Sequence, residues 1–257
     1  MTDTPAQPRP ARRRFALSVR ALMAVVLLLA VALGWVVNRA RAQREAVTAI
    51  ERTGGGVVYE WGRVPGKGLD PKAAPPWPGW MISLLGVDSF GHVISAHLGD
   101  RATDAEMAHL GRLPRLERAY VVGPGVTDAG VAHLRGLRRL THVYLDRTRT
   151  TRASLAEIGR LPNLTKLYLV GLDVGDADLI HLVGLRKLEQ VGLSSNPITD
   201  AGLAHLAGLD RLRHLDLDGT AVTGAGVARL AHPGINIVFQ DSPLGPNPAP
   251  SNTPPPR

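Results

Sequence analysis

The amino-acid sequence predicts an α/β solenoid, preceded by a transmembrane helix. We expect a right-handed stack of short coils, with a parallel sheet on the concave side and short helices on the convex side. The first observation is a 24-residue repeat whose copies open at Leu116, Leu140, Leu164, Leu188 and Leu212. The second observation is that each copy continues as L-x-x-[LVA]-x-[LV] and reaches another apolar block about ten residues later. This is expected of units that bury their apolar faces against one another. A third observation is the uncharged run at residues 21–37.

The N-terminal run predicts a membrane anchor. Residues 21–37 form a stretch of 17 residues without a charge, which at ~1.5 Å per residue reaches roughly 25 Å, within the range for a transmembrane helix. Residues 1–20 carry five arginines, so the positive-inside rule predicts a basic cytoplasmic N-terminus, a single pass through the cytoplasmic (inner) membrane and an extracytoplasmic repeat domain. The alternative is a signal peptide cleaved near Ala40-Arg41-Ala42, although the apolar run is longer than signal peptides usually have. Both alternatives export the repeats.

The basic charge belongs to this same N-terminal segment. Of the net charge of +8, residues 1–44 hold +7, from eight arginines and Asp3, which leaves +1 for the rest of the chain. A nucleic-acid binder would carry a basic stripe on its folded domain, so we expect no nucleic-acid partner. The chain has no cysteine, which excludes disulfides, thiolate nucleophiles and cysteine-based metal sites.

The segment between the anchor and the repeats predicts a juxtamembrane helix and an N-terminal cap. Apolar residues at helical spacing indicate a helix over residues 38–53, serving as a stalk or as a packed first helix, and Gly54-Gly55-Gly56 ends it. Residues 54–91 form the expected cap, with a strand near Val57–Trp61 and a short helix at 78–85. Three of the four tryptophans fall in this cap. They can form an aromatic ligand pocket or seal the first coil, and we favour the seal because solenoid ends need caps.

The repeat domain is expected to cover residues 92–240. Apolar residues at repeat positions 1, 4 and 6 alternate along a short strand and point inward. Threonines such as Thr127 and Thr199 are expected to cap the helix that follows, and the aspartates after them to favour its positive end. Residues 241–257 are rich in proline and almost without apolar content, which predicts a disordered tail.

The blocks VTDAGVAHL (126–134) and ITDAGLAHL (198–206) carry a family resemblance. Together with the strand segments and the N-terminal anchor they resemble bacterial membrane-anchored leucine-rich repeat proteins, in which a strand is followed by T-D-A-G-L-x-x-L. The resemblance covers about residues 92–240 and implies a right-handed leucine-rich repeat solenoid. It departs from the better-known pattern at Asn196, whose equivalents in the other copies are not asparagine, so an asparagine ladder is absent.

The outward-facing strand positions predict the candidate binding site. Positions 3, 5 and 7 of each copy line the concave sheet. Three tyrosines share position 5 on adjacent strands, with cations beside them and acids toward the C-terminus. This tyrosine strip is a plausible recognition surface, because Tyr and Arg are enriched in binding hot spots, and it can equally be a cross-strand ladder that stabilises the sheet. The candidate residues are Arg118, Tyr120, His142, Tyr144, Asp146, Lys166, Tyr168, Gln190, His214, Asp216 and Asp218.

No catalytic or metal-binding pattern accompanies this surface. The chain lacks H-E-x-x-H, G-x-S-x-G and G-x-x-x-x-G-K-[ST]. Four histidines recur at one helix position, but on separate helices and without carboxylates in ligand spacing. We therefore expect a non-enzymatic binding module without metal or cofactor. It would recognise a protein or peptide partner, or alternatively a cell-envelope polysaccharide through the tyrosine strip. The sequence specifies no oligomeric state.

Overall fold

The structure is a computed structural model that describes residues 19–64, 66, 68–230 and 234–239. The chain divides into two compact units, Met1–Arg39 and Ala40–Arg257. Most of the predicted basic N-terminus (1–20) and the whole predicted tail (241–257) lie outside the described residues.

A single long helix, α1, runs from Val19 to Arg52. The predicted anchor (21–37) and most of the predicted juxtamembrane segment (38–53) therefore lie in one continuous element. Its apolar N-terminal part is long enough and apolar enough to cross a membrane, and none of that stretch is buried. Long apolar side chains such as Leu28 and Leu33 are 69% and 64% exposed, which is unfavourable in water and favourable in lipid.

The last turns of α1 belong to the second unit and pack against its core. Ala46 and Ile50 are completely buried, and Ala40 is 5% exposed. The buried positions recur at helical spacing on one face of α1. Of the two alternatives for this segment, the packed first helix is the one that the structure has.

The second unit is built on a sheet of eight strands that follow the chain in spatial order. Its strands are β1 (Gly56–Tyr59), β4 (Val93–Leu98), β5 (Arg118–Val122), β6 (His142–Asp146), β7 (Lys166–Val170), β8 (Gln190–Gly192), β9 (His214–Asp216) and β10 (Asn236–Val238). The first strand, β1, pairs with β4 in antiparallel fashion, and every later pair is parallel and consecutive. Two further strands, β2 (Arg63–Val64) and β3 (Gly68–Leu69), form a separate hairpin.

Short helices return the chain from each strand to the next. A 3-10 helix takes the place of an α-helix at Asp176–Leu182, and others lie at Glu60–Gly62, Val87–Ser89 and His133–Gly136. The α-helices are α2 (Gly79–Leu85), α3 (Asp104–Leu110), α4 (Asp128–Ala132), α5 (Arg152–Ile158), α6 (Asp200–Leu203) and α7 (Gly224–Leu230).

The predicted leucine-rich repeat solenoid is confirmed. The five leucines that open the copies are at most 1% exposed, and the middle strands alternate between buried and half-buried residues. The inward residues of all coils join one continuous core. The core therefore runs along the stack, so that each coil buries the apolar face of its neighbour.

The aspartates at the helix starts bind the next coil, a contact that the sequence pattern did not predict. The Asp176 carboxylate accepts hydrogen bonds from the Thr199 backbone N–H at 2.8 Å and from its hydroxyl at 2.6 Å. The same pair of bonds joins Asp104 to Thr127, Asp128 to Thr151 and Asp200 to Thr223. These charge-assisted bonds between coils are stronger than the helix-end effect that was predicted for the same carboxylates.

The cap closes the first coil with an aromatic cluster. Tyr59 stacks on Trp61 at 4.5 Å, and Trp77 lies edge-on to Trp61 at 5.5 Å and stacks on Phe90 at 5.4 Å. The packing of Trp61 and Trp77 against other rings fits the predicted seal. The prediction is wrong for Trp80, which stays 68% exposed.

Candidate functional site

Parallel pairing places the predicted site residues in straight rows across the concave face. The position 3 row joins Arg118, His142, Lys166, Gln190 and His214 in register. The position 5 row next to it runs through the three tyrosines to Gly192 and Asp216. Because strands in a sheet lie about 4.8 Å apart, each residue in a row is in reach of its neighbours.

The rings of the position 5 row form one continuous stack that is longer than predicted. Tyr120 and Tyr144 lie with ring centroids 4.4 Å apart, and Tyr144 and Tyr168 lie 4.5 Å apart. His97 of β4 stacks on the free side of Tyr120 at 4.1 Å, with 5° between the ring planes. We call these four rings, His97, Tyr120, Tyr144 and Tyr168, the aromatic stack. His97 was not among the predicted site residues, although the alternation of β4 places it at position 5.

A glycine ends the aromatic stack. The Tyr168 ring lies over Gly192, where a Cβ atom would overlap with the ring carbons. The Tyr168 hydroxyl donates a hydrogen bond to Oε1 of Gln190 at 3.1 Å. Gly192 and Gln190 together therefore fix the tilt of the Tyr168 ring. Gly192 leaves room for the ring, and Gln190 accepts the hydrogen bond from its hydroxyl.

Cations lie along the aromatic stack and keep the intervening histidine neutral. Burial, together with the charges of Arg118 and Lys166, lowers the pKa of His142 to about 4. Desolvation also lowers the pKa of His97. Within the part of the chain that the structure describes, neither Arg118 nor Lys166 takes part in an ion pair. Two half-buried positive charges therefore remain available to a ligand.

The hydroxyls of Tyr144 and Tyr168 stay protonated. Burial, followed by the neighbouring hydroxyls of Tyr120 and Tyr168, raises the pKa of Tyr144 to about 12. Burial and the nearby Asp216 carboxylate raise the pKa of Tyr168. At neutral pH the strip therefore presents O–H groups that can donate hydrogen bonds as well as accept them.

Two of the predicted acidic residues, Asp216 and Asp218, lie beyond the last ring of the aromatic stack, and Asp146 lies beside its middle. Asp216 continues the position 5 row beyond Gly192 and accepts a hydrogen bond from the Asp218 backbone N–H at 3.0 Å. Asp218 lies past the end of β9, and Asp146 lies one row away and pairs with Arg147 at 3.3 Å. Asp216 and Asp218 therefore make the C-terminal end of the face acidic, and Asp146 adds one carboxylate beside the tyrosines.

A cleft opens between the cap and the first ring of the aromatic stack. Its volume is about 500 Å³. Ser95 on its floor is completely buried, and its hydroxyl has no hydrogen-bond partner among the described residues. An unsatisfied buried hydroxyl is costly, so a ligand group that reached it would be favoured. The cleft is lined by Gly54, Gly55, Gly56, Val57, Val58, Leu69, Pro71, Ser95, His97, Arg118 and Tyr120.

The recurrent histidines lie on separate coils. His109, His133 and His181 lie on different coils of the convex side. Among the described residues, no group of three or more histidines and carboxylates has the geometry to hold a metal ion.

Comparisons with known proteins match between 52% and 58% of this chain. No protein-family model and no curated protein matches the chain. Among solved structures, internalin C2 of Listeria monocytogenes is 24% identical over 52% of this chain and 55% of its own, with a TM-score of 0.44. A second internalin of that organism, inlF, is 18% identical over 58% of this chain and 41% of its own, with a TM-score of 0.41. A Bacteroides fragilis protein is 18% identical over 52% of this chain and 44% of its own, with a TM-score of 0.38. The matched part of this chain thus spans about half the length of these proteins.

Proposed function

We propose that this protein is a membrane-anchored, non-enzymatic binding module that recognises a protein or peptide partner through its concave face. The observation that carries the proposal is the aromatic stack, flanked by Arg118 and Lys166, whose charges are unpaired among the described residues. Tyrosine and arginine are the residues in which binding energy concentrates at protein interfaces. In this proposal residues 21–37 span the cytoplasmic membrane, with the N-terminus inside and the repeats outside.

The stacking geometry favours a polypeptide over a polysaccharide. A sugar ring packs against the face of an aromatic ring, but the inner faces of the aromatic stack are occupied by neighbouring rings at 4.1 to 4.5 Å. In the middle of the aromatic stack, only ring edges and hydroxyls are accessible to a ligand. These suit the hydrogen-bonding groups and side chains of an extended peptide.

The unpaired cations add a charge preference to this proposal. A partner that places a carboxylate next to Arg118 would gain a bidentate, charge-assisted pair. The acids at the other end of the face, Asp216 and Asp218, suit a basic group of the partner. They lie four strands beyond Arg118, which is roughly 19 Å at about 4.8 Å per strand. We therefore expect a partner segment that is acidic at the end facing the cap and basic at the other end.

Photo-crosslinking in living cells tests this proposal. A photoreactive amino acid at position 144 of the full chain should yield a specific adduct that is identified by mass spectrometry. The same probe at His181, an exposed convex position, should not. The adduct should be lost when Tyr120 and Tyr168 are changed to serine, while thermal unfolding stays cooperative. Equal adducts from both probe positions would contradict the assignment of the concave face.

A cell-wall retention assay tests the alternative. The full chain in detergent is incubated with purified cell wall before and after protease treatment of the wall. Loss of retention after protease is the result expected for a protein partner. Retention that survives protease and disappears in the Tyr120→Ser, Tyr144→Ser, Tyr168→Ser variant would favour the polysaccharide instead.

A further inference from the structure

The helix α2 is apolar and yet has no buried residue. Its sequence, GWMISLL, contains a single polar side chain. Trp80 is 68% exposed, Leu84 74% and Leu85 50%. Trp80 and Leu84 are four residues apart and therefore share one face of the helix. Large apolar side chains that cluster in this way mark a surface that is covered by something else.

This exposure is a fixed feature of the fold. The Arg44 guanidinium donates a hydrogen bond to the Leu85 carbonyl at 3.4 Å and fills the space where Gly86 would carry a Cβ atom. Just beyond, the buried Asp88 carboxylate accepts hydrogen bonds from Gln43 at 3.0 Å and from the Tyr59 hydroxyl at 2.9 Å. The C-terminal end of α2 is thus bound to the packed part of α1, which holds the apolar face outward.

Only a short stretch of chain separates the proposed membrane span from the residue that holds α2. The apolar run ends at Val37, and Ala40 is already packed in the second unit. Three residues reach at most about 11 Å even when fully extended. Arg44, which holds α2, lies one helical turn beyond Ala40, or about 6 Å. The chain that connects the end of the apolar run to the residue that holds α2 is therefore only seven residues long.

We propose that α2 lies in the interface of the bilayer, with Trp80 and Leu84 inserted between the lipid headgroups. This rests on the proposed membrane anchor. Tryptophan is enriched at membrane–water interfaces, and a short apolar helix face buries its area there without crossing the membrane. The helix would thereby act as a second contact point that limits rotation of the repeat domain about its anchor.

The charges near α2 complement an anionic membrane surface. Arg41, Arg44 and Arg52 line one cleft on α1 together with His109. Arg41 and Arg52 form no ion pair within the described ranges. Basic residues next to a span are attracted by anionic headgroups. This sign of charge favours an anionic lipid surface over a second copy of the chain, in which the same α1 arginines would face these.

Site-specific labelling of the full chain tests the proposal, because the chain has no cysteine of its own. Single cysteines at Leu84, Ile180 and Leu29 are labelled with the polarity-sensitive fluorophore NBD. Each variant is reconstituted into vesicles of phosphatidylethanolamine and phosphatidylglycerol. Ile180 is the matched control, since it is an apolar residue that is 55% exposed on the convex side of the repeats. Leu29 reports whether the proposed span is inserted.

The expected result is a blue-shifted emission at position 84 that is quenched by lipids with a nitroxide at the headgroup. Position 180 should show neither change, and position 29 should be quenched by nitroxides deep in the acyl chains. If position 84 behaves like position 180 while position 29 is quenched, the interfacial helix is refuted and the anchor stands. A blue shift at position 84 without lipid quenching would also refute it, in favour of a protein partner or a second copy. Absence of quenching at position 29 would overturn the anchor and this inference together.

Discussion

Asp200 of one coil binds Thr223 of the next through two hydrogen bonds to a single carboxylate. The Thr223 backbone N–H donates to Oδ1 at 2.8 Å and its hydroxyl donates to Oδ2 at 2.7 Å. The backbone bond is the first cause of the lowered pKa of Asp200. A Cβ atom at Gly226 would overlap with the Asp200 carboxylate, whereas the Asp128–Thr151 bridge forms with Ser154 at the equivalent position. The T-D-A-G motif is thus an inter-coil bridge in which the aspartate reaches forward to the next coil.

The exceptions to the motif follow from the same contact. Arg152 occupies the aspartate position of its coil, so the next coil receives no carboxylate from it. That next coil supplies its own: Asp178 accepts the hydrogen bond from the Gly175 backbone N–H at 2.9 Å. The first coil, which has no upstream neighbour of this kind, does the same with Glu106 and Thr103 at 2.8 Å. Glu106 and Asp178 occupy the position that Gly226 holds in its own coil. In both of these coils, no carboxylate from the preceding coil binds at the helix start.

Removal of the Asp200 carboxylate should destabilise the repeat domain. Asp200→Ala loses two charge-assisted bonds, and we expect the free energy of unfolding to fall by about 2 kcal/mol. Gly226→Ala alone should cost about 1–3 kcal/mol, because the new methyl group displaces the carboxylate. In the Asp200→Ala background the same glycine change should cost much less. Denaturant unfolding of the four proteins measures this coupling, and additive effects would contradict the proposed bridge.

Asn196 should be the most sensitive polar position of the repeats. Its side-chain oxygen accepts from the Leu172 and Val174 backbone N–H groups at 3.0 Å each, and its amide donates to the Leu169 carbonyl at 2.7 Å. Asn196→Ala leaves these buried groups unpaired, each at a cost of about 1–3 kcal/mol, so we expect a loss of about 3 kcal/mol or more in denaturant unfolding. Asn163→Ala, at a position where the side chain is partly exposed, should change stability far less.

The tilt of the last tyrosine ring should depend on Gly192. Gly192→Ala places a methyl group where the Tyr168 ring lies, so the ring must move and its hydrogen bond to Gln190 is lost. We expect altered near-ultraviolet circular dichroism and weaker partner crosslinking from position 144. Gly208→Ala is the control, since nothing lies within 4 Å of a Cβ atom there. If the two variants give the same spectrum, the role of Gly192 is wrong.

The pH dependence of stability should report on His142. In the unfolded chain a histidine takes up its proton near the ordinary value of 6.5, whereas the folded protein keeps His142 neutral down to a pKa of about 4. Between these values the unfolded state binds more protons, so the free energy of unfolding decreases as the pH falls from about 6.5 to about 4. His142→Gln should flatten this decrease in thermal unfolding measured at about pH 7 and about pH 5. His133→Gln, at an exposed histidine on the convex side, should leave it unchanged.

The solenoid could be predicted from the sequence because the sequence is periodic. A 24-residue spacing and an alternation of apolar positions were sufficient to predict which leucines are buried, and to place Tyr120, Tyr144 and Tyr168 in one row on the concave face. Both depend only on backbone geometry: side chains alternate along a strand, and consecutive parallel strands keep the same register. The distance between strands then predicts that equivalent side chains can touch.

Contacts whose partners do not follow from the period required the tertiary structure. Asp200 and Thr223 lie 23 residues apart, and only the twist between coils decides that the carboxylate reaches the next helix start instead of its own. Likewise, the sequence placed three tryptophans in the cap, but packing holds Trp61 and Trp77 against other rings and leaves Trp80 exposed. The physical reason is the same in both cases. A repeat defines directions along the backbone, whereas side-chain partners depend on angles and free space that only the assembled coils provide.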